Sequence, residues 1–91
     1  MPIRFEFDAV KDVENRRKHG FPLEAGALVI ERAVYFEMDD SSDEPGWRAY
    51  GGVNGRAMMC VYTMRPNESH RIISVRKATK REIATWLIPS G

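Results

Sequence analysis

The chain has one cysteine, two histidines and no long apolar run, and each shortage removes a class of protein. Cys60 alone cannot close an internal disulfide, and one thiol with two imidazoles cannot complete the usual structural zinc sites. No window approaches the roughly 18 continuous apolar residues of a membrane helix. The N-terminal Met-Pro-Ile-Arg-Phe-Glu-Phe-Asp lacks a basic stretch followed by an apolar one, so no secretion signal is expected, and the cytoplasm is the expected compartment. Asp39, Asp40, Asp43 and Glu44 crowd a turn-rich loop without a fixed ligand spacing and read as solvated charge; no metal and no cofactor is expected. No stretch rich in Arg, Asn and Gln offers a DNA recognition helix.

What is present suits one small globular domain over residues 1–91, with 43% hydrophobic residues. The formal charge of +1 conceals an asymmetry. Residues 1–45 hold six Lys/Arg against eleven Asp/Glu, whereas residues 46–91 hold eight against two. Such a division suits a polyanion contact, with the acidic half kept away from it; on charge alone solvated charge without a partner is the simpler account, and the placement of the basic residues shifts the balance.

Periodicity gives the elements. Arg4-Phe5-Glu6-Phe7 alternates as a short strand does, and Asp8 is placed to cap a helix. That helix carries Val10 and Val13 on one face and Lys11, Asn15 and Lys18 on another. It ends at Arg16-Arg17-Lys18-His19-Gly20, where cations suit the dipole and glycine the left-handed stop. Pro22 starts a second short helix with Leu23, Ala27 and Ile30 at helical spacing. Strands are expected over 34–38, 47–53, 56–64 and 71–77, the middle two joined by Asn54-Gly55, a strong hairpin signal. Thr79-Lys80-Arg81-Glu82 is a capping box that opens a last helix bearing Ile83, Trp86 and Leu87. The order β-α-α-β-β-β-β-α describes an α+β domain with a mostly antiparallel sheet packed on helices.

In a strictly alternating last strand, Ile73 and Val75 face the helices together with Arg71 and Lys77, and Arg76 stands on the opposite, open face with Ser74. Lys80 and Arg81 lie in the first turn of a helix, where the dipole disfavours cations; they read either as phosphate ligands or as solvated charge. Met58, Cys60, Tyr62 and Met64 form a buried stripe in which Cys60 is packing rather than a nucleophile. Trp47 and Trp86 read as core or as anchors at a partner interface.

Four blocks resemble a known family: Phe5-Glu6-Phe7-Asp8 with Lys11 and Asn15; Lys18-His19-Gly20; Asn54-Gly55-Arg56; and Arg71-Ile72-Ile73-Ser74-Val75-Arg76-Lys77-Ala78 with Arg81-Glu82. In this order and spacing, from about Arg4 to Glu82, the chain resembles the BrnT toxins of bacterial type II toxin–antitoxin systems, which are RelE-like in fold. It departs from the family pattern at Phe7, at Pro22 and in the apolar tail from Trp86 to Gly91. The resemblance implies RNA cleavage that inhibits translation and neutralisation by a BrnA-like antitoxin with a ribbon-helix-helix domain. It also implies repression of the operon through that antitoxin, which alone touches operator DNA. An antitoxin dimer would gather two copies into a heterotetramer.

RNA supplies its own nucleophile, the ribose 2′-OH, so cleavage needs alignment, a proton acceptor, charge neutralisation at the phosphate and a proton donor, but in principle no metal. Arg76 is the first candidate to hold the scissile phosphate and Arg71 the second, because guanidinium meets phosphate with parallel hydrogen bonds. His19 is either a proton shuttle or simply a cationic helix end. Arg56, Lys77, Lys80, Arg81 and Lys18 are the candidates for flanking phosphates. Glu82 is a base only if its capping role leaves it free, and Tyr62 and His70 are weaker candidates. The reading from a different class is a non-catalytic module that acts only with the antitoxin as a repressor complex.

Overall fold

The computed structural model describes residues 3–40 and 45–87. Strand β1 (Phe5–Glu6) leads into α1 (Ala9–His19) and α2 (Ala25–Glu31). Strands β2 (Ala33–Asp39), β3 (Gly46–Val53), β4 (Arg56–Met64) and β5 (His70–Lys77) follow, then α3 (Lys80–Glu82), continued by a π-helical turn over Ile83–Leu87. The strands form one sheet in the order β1-β5-β4-β3-β2, in which only the β1–β5 pair is parallel. The fold class and the order of elements agree with the sequence reading. The tail from Ile88 to Gly91, and Ser41 to Glu44 of the acidic loop, lie outside the described residues.

Local chemistry sets the boundaries. The Asp8 side chain accepts from the Lys11 amide at 3.0 Å, and Gly20, at φ 81°, closes α1 by donating its N–H to the Arg16 carbonyl. Asn54 and Gly55, at φ 52° and 76°, make the β3–β4 turn in the left-handed conformation that a type I′ hairpin demands. Both bonds of the Thr79–Glu82 capping box form.

One face of the sheet carries the core. Leu23, Val29 and Ile30, from α2 and the turn before it, pack with Ala49, Met58, Cys60, Ile72 and Val75. Each fully buried aliphatic side chain contributes roughly 1.5–3 kcal/mol. Gly26 lets α2 approach this closely: a Cβ there would meet Cys60 Sγ at 2.8 Å and Ile72 Cγ2 at 2.9 Å. Cys60 is fully buried at this contact, as the sequence indicated.

Helix α1 lies along β5, against the stretch that short β1 leaves unpaired. Asn15, its one buried residue, takes the place of a neighbouring strand. Its Nδ2 donates to the carbonyls of Val75 (2.9 Å) and Phe21 (2.8 Å), and its Oδ1 accepts from the Val75 N–H at 3.1 Å. The apolar pair Val10 and Val13 therefore turns outward, 66% and 65% exposed, while the Lys11-Asn15-Lys18 face meets the sheet.

Three expectations need correction. Strict alternation along β5 fails, because the β4–β5 register shifts between Val61 and Tyr62 and β5 carries an extra residue there. Tyr62 faces Ile72 while Val61 faces Ser74, so Ile73 is bulged out of the pairing. Ile72, not Ile73, joins Val75 in the core, and Arg71, Ser74 and Arg76 share the other face, opposite Thr63, Val61 and Met59. Second, α2 begins at Ala25 rather than at Pro22: residues from Phe21 to Glu24 form a turn whose carbonyls at Pro22 and Leu23 accept from Ala25 and Gly26. Third, only three residues of the last helix are α-helical before it widens into the π-turn. That widening accompanies the stacking of Trp86 on Tyr35, with ring centres 3.7 Å apart.

Replacing Asn15 by Ala strips paired backbone groups of Val75 and Phe21 at once. Each buried orphan costs about 1–3 kcal/mol, so Asn15→Ala is expected to lower stability by about 2–4 kcal/mol in urea unfolding. A loss under about 0.5 kcal/mol would show that the edge of β5 is held by other contacts.

Candidate functional site

The bulge builds the site. Ser74 stands between Arg71 and Arg76 on one face of β5, and with Ile73 it forms one wall of a cleft of about 180 Å³ against α1. The opposite wall is Lys11, Glu14, Lys18 and His19, with buried Asn15 between them. The Ser74 hydroxyl reaches Asn15 Oδ1 at 3.4 Å, so the residue that fastens α1 also orients the cleft's hydroxyl. Lys11, Lys18 and His19 are exposed, and among the described residues no carboxylate pairs with them. Neighbouring Arg16 differs, being held by Asp12 at 3.1 Å.

The two arginines named from the sequence are brought to one face, and each is engaged by a carboxylate. Arg71 Nη1 donates to Glu6 Oε2 at 3.0 Å. Arg76 makes a bidentate pair with Glu82, Nη1 to Oε1 and Nη2 to Oε2, both at 2.9 Å. Glu82 also accepts from the Thr79 N–H at 2.8 Å. The Tyr50 hydroxyl lies 2.9 Å from Glu37 Oε1 and 3.3 Å from Glu82 Oε2, and its single proton serves one of them at a time. Glu37 in turn faces Arg48, whose Nε lies 3.3 Å away and 3.5 Å from Asp39. A chain of polar contacts thus runs from Arg48 through Glu37, the neutral Tyr50 hydroxyl and Glu82 to Arg76.

This chain fixes protonation states. The hydrogen bonds from Arg76, chiefly, and from Thr79 hold the Glu82 carboxyl down to about 2, against the effect of burial. An anion held so firmly is a poor base at neutral pH, and the capping reading of Glu82 prevails. Glu82 raises the pKa of Arg76 in return. Burial, then the bond to Glu37 and the charge of Glu82, push the Tyr50 hydroxyl up, so it stays a proton donor. Burial alone pushes the Cys60 thiol up, which agrees with a packing role.

The flanking candidates divide between two places. Lys18 belongs to the α1–β5 cleft. Lys77 lies opposite Met58, and the Ala78 N–H bonds to the Ala57 carbonyl. Arg56, at the start of β4, therefore shares that end of the sheet with Lys77, and Lys80 and Arg81 follow at the start of α3. Arg56 lies over the Phe21 ring, its Cζ 6.0 Å from the ring centre. Among the described residues no cluster of three or more His, Cys, Asp or Glu has the arrangement of a metal site, and no helix is long and apolar enough to cross a membrane. Sequence reasoning missed Ser74, Glu6 and the Tyr50–Glu37–Arg48 relay. Their partners lie on other helices and strands, and no local spacing signals them.

The pH dependence of the relay has a defined sign. A carboxyl whose folded pKa lies near 2 stabilises the fold fully above its ordinary value of 4.5, and this contribution is lost as pH falls toward 2. Glu82→Gln is therefore expected to be less stable at pH 7 and to lose less on acidification from about 4.5 to 2 than the unmodified chain. Urea midpoints measured across that window check it; parallel curves for the two proteins would be the contrary result.

The family model for the ribonuclease toxin BrnT of type II toxin–antitoxin systems matches residues 7–82. Among solved structures, the chain is similar to the 1.1 Å crystal structure of the Brucella abortus ribonuclease toxin BrnT, with a TM-score of 0.63 and 20% identity. The match covers 86% of this chain and 99% of that one, and at this identity it bears on the fold. No curated protein matches the chain.

Proposed function

The chain belongs to the BrnT family of ribonuclease toxins of type II toxin–antitoxin systems, and on that premise we propose that it cleaves RNA in the cleft between α1 and β5. The observation that carries this reading is the convergence of Lys11, Lys18 and His19, which form no ion pair with a carboxylate among the described residues although Glu14 shares their wall, on the β5 bulge whose face also holds Arg71 and Arg76. Phosphate is the natural ligand of such a cleft. The ribose 2′-OH attacks the adjacent phosphorus, and no metal takes part. His19 carries the proton between the attacking and leaving oxygens. Lys11 and Lys18 neutralise the phosphate from α1, and Arg71 and Arg76 do so from β5. Each guanidinium has five donors, so donors remain for an incoming phosphate beyond those given to Glu6 and Glu82. Arg56, Lys77, Lys80 and Arg81 hold the flanking strand.

In this reading, residues 1–91 act as one domain in the cytoplasm. The cleavage inhibits translation, and a BrnA-like ribbon-helix-helix antitoxin neutralises it within a heterotetramer. The carboxylate pairing of both arginines favours one second reading: a module that binds without cutting and acts with the antitoxin as a repressor complex.

Incubating the purified protein with RNA in excess EDTA separates the two. Cleavage is expected to persist in EDTA and to fall about 10²- to 10⁴-fold in His19→Ala, the range of positioned acid–base catalysis. Lys18→Ala is expected to reduce the dependence of log affinity on log salt by about 0.7, the value for one phosphate on a single strand. RNA binding without cleavage at any protein concentration would sustain the module instead. An unchanged rate in His19→Ala would return that residue to helix capping alone.

A further inference from the structure

Beyond His19 the chain turns at Gly20, and Phe21 opens a second cavity, of about 300 Å³. Phe21, Leu28, Val53 and Met58 make an apolar lining, and the β3–β4 hairpin adds Asn54 and Arg56, both exposed. Phe21 is half-buried, and the guanidinium of Arg56 stands 6.0 Å from its ring centre, the separation of a cation–π contact. No carboxylate among the described residues lines the cavity, and exposed Lys77 lies opposite Met58.

We propose that this cavity receives a base of the RNA strand whose phosphate occupies the α1–β5 cleft; the proposal rests on the ribonuclease reading. A flat heteroaromatic ring fits the chemistry on every side. Phe21 gives it an aromatic face once the exposed Arg56 side chain moves outward from its 6.0 Å position over the ring, Arg56 then covers its outer face, and the Asn54 amide offers both a donor and an acceptor to its edge. Unpaired bases of single-stranded RNA are held in this way, on aromatic rings and guanidinium planes. The cationic rim meets the phosphates on either side of the base, which an apolar protein side chain would leave unpartnered. The spacing also fits. His19 lines the cleft and Phe21 lines the cavity, two residues apart and so within about 7 Å along the chain, the scale of one nucleotide.

The test uses pentanucleotides of A, C, G or U with 2′-O-methyl on every ribose, which bind without offering the attacking hydroxyl. Added to the full chain, at least one is expected to shift the NMR signals of the Phe21 ring, the Asn54 side chain and the Met58 methyl. Phe21→Leu is expected to weaken binding about tenfold, the loss of one base–aromatic stack. Arg56→Gln, an exposed change that leaves the core intact, is expected to weaken it severalfold with no change in unfolding midpoint. Shifts confined to Lys18, His19 and Ser74, with Phe21 and Met58 unmoved, would overturn the base site while leaving cleavage in the cleft standing. Affinity and base preference unchanged in Arg56→Gln would also overturn it. An absence of shifts at every position, together with an absence of RNA cleavage, would overturn both readings.

Discussion

The fold turns on one side chain. Asn15 meets the N–H and C=O of Val75 with its own amide, and by doing so converts a helix into the neighbour of an edge strand. Unpaired edge groups are a liability in any sheet, and β1 is too short to cover this one. The same amide holds the Phe21 carbonyl, so the turn at Gly20 is tied to the clamp as well. The cleft before that turn and the cavity after it consequently share one fastening.

Electrostatic commitment separates the cations into two groups. Arg48, Arg71 and Arg76 are engaged by carboxylates from other elements and hold the second face of the sheet together. Lys11, Lys18 and His19 are engaged by no carboxylate among the described residues, yet they are gathered on one wall by α1. The C-terminal turn of α1 favours the charge of Lys18 and His19 through its dipole, whereas Lys11 stands in the first turn and takes no such support. Under the proposed reading, Lys11, Lys18 and His19 meet the substrate phosphate outright, while Arg71 and Arg76 divide their donors between carboxylates and substrate.

Much of this architecture was legible in the chain because its signals are local. The Asp8 cap, the Gly20 stop, the Asn54-Gly55 hairpin and the Thr79–Glu82 box each depend on residues at most four apart, and all four form. What was not legible depends on pairing between distant segments. Nothing in Arg71-Ile72-Ile73-Ser74-Val75-Arg76 shows that one residue will bulge, because either isoleucine can serve the core. The extra residue brings Arg71 and Arg76 to the same face, where strict alternation would set them on opposite ones. Glu82 was readable as a cap, but its grip on Arg76 required knowing that the chain turns after Lys77 so that the first turn of α3 brings the carboxylate back to that side chain. Val10 and Val13 mislead for a related reason: the polar face of α1 satisfies backbone groups that an apolar face could not.

The sealed position of the only thiol gives the molecule a built-in clock. Cys60 is fully covered where α2 presses on β4, and Gly26 leaves no gap through which a reagent could enter. Alkylation must therefore wait for α2 to lift from the sheet, so the labelling rate in native buffer measures how often the core opens. A neutralising protein that clamps α2 would slow this rate even if it never came near the sulfur.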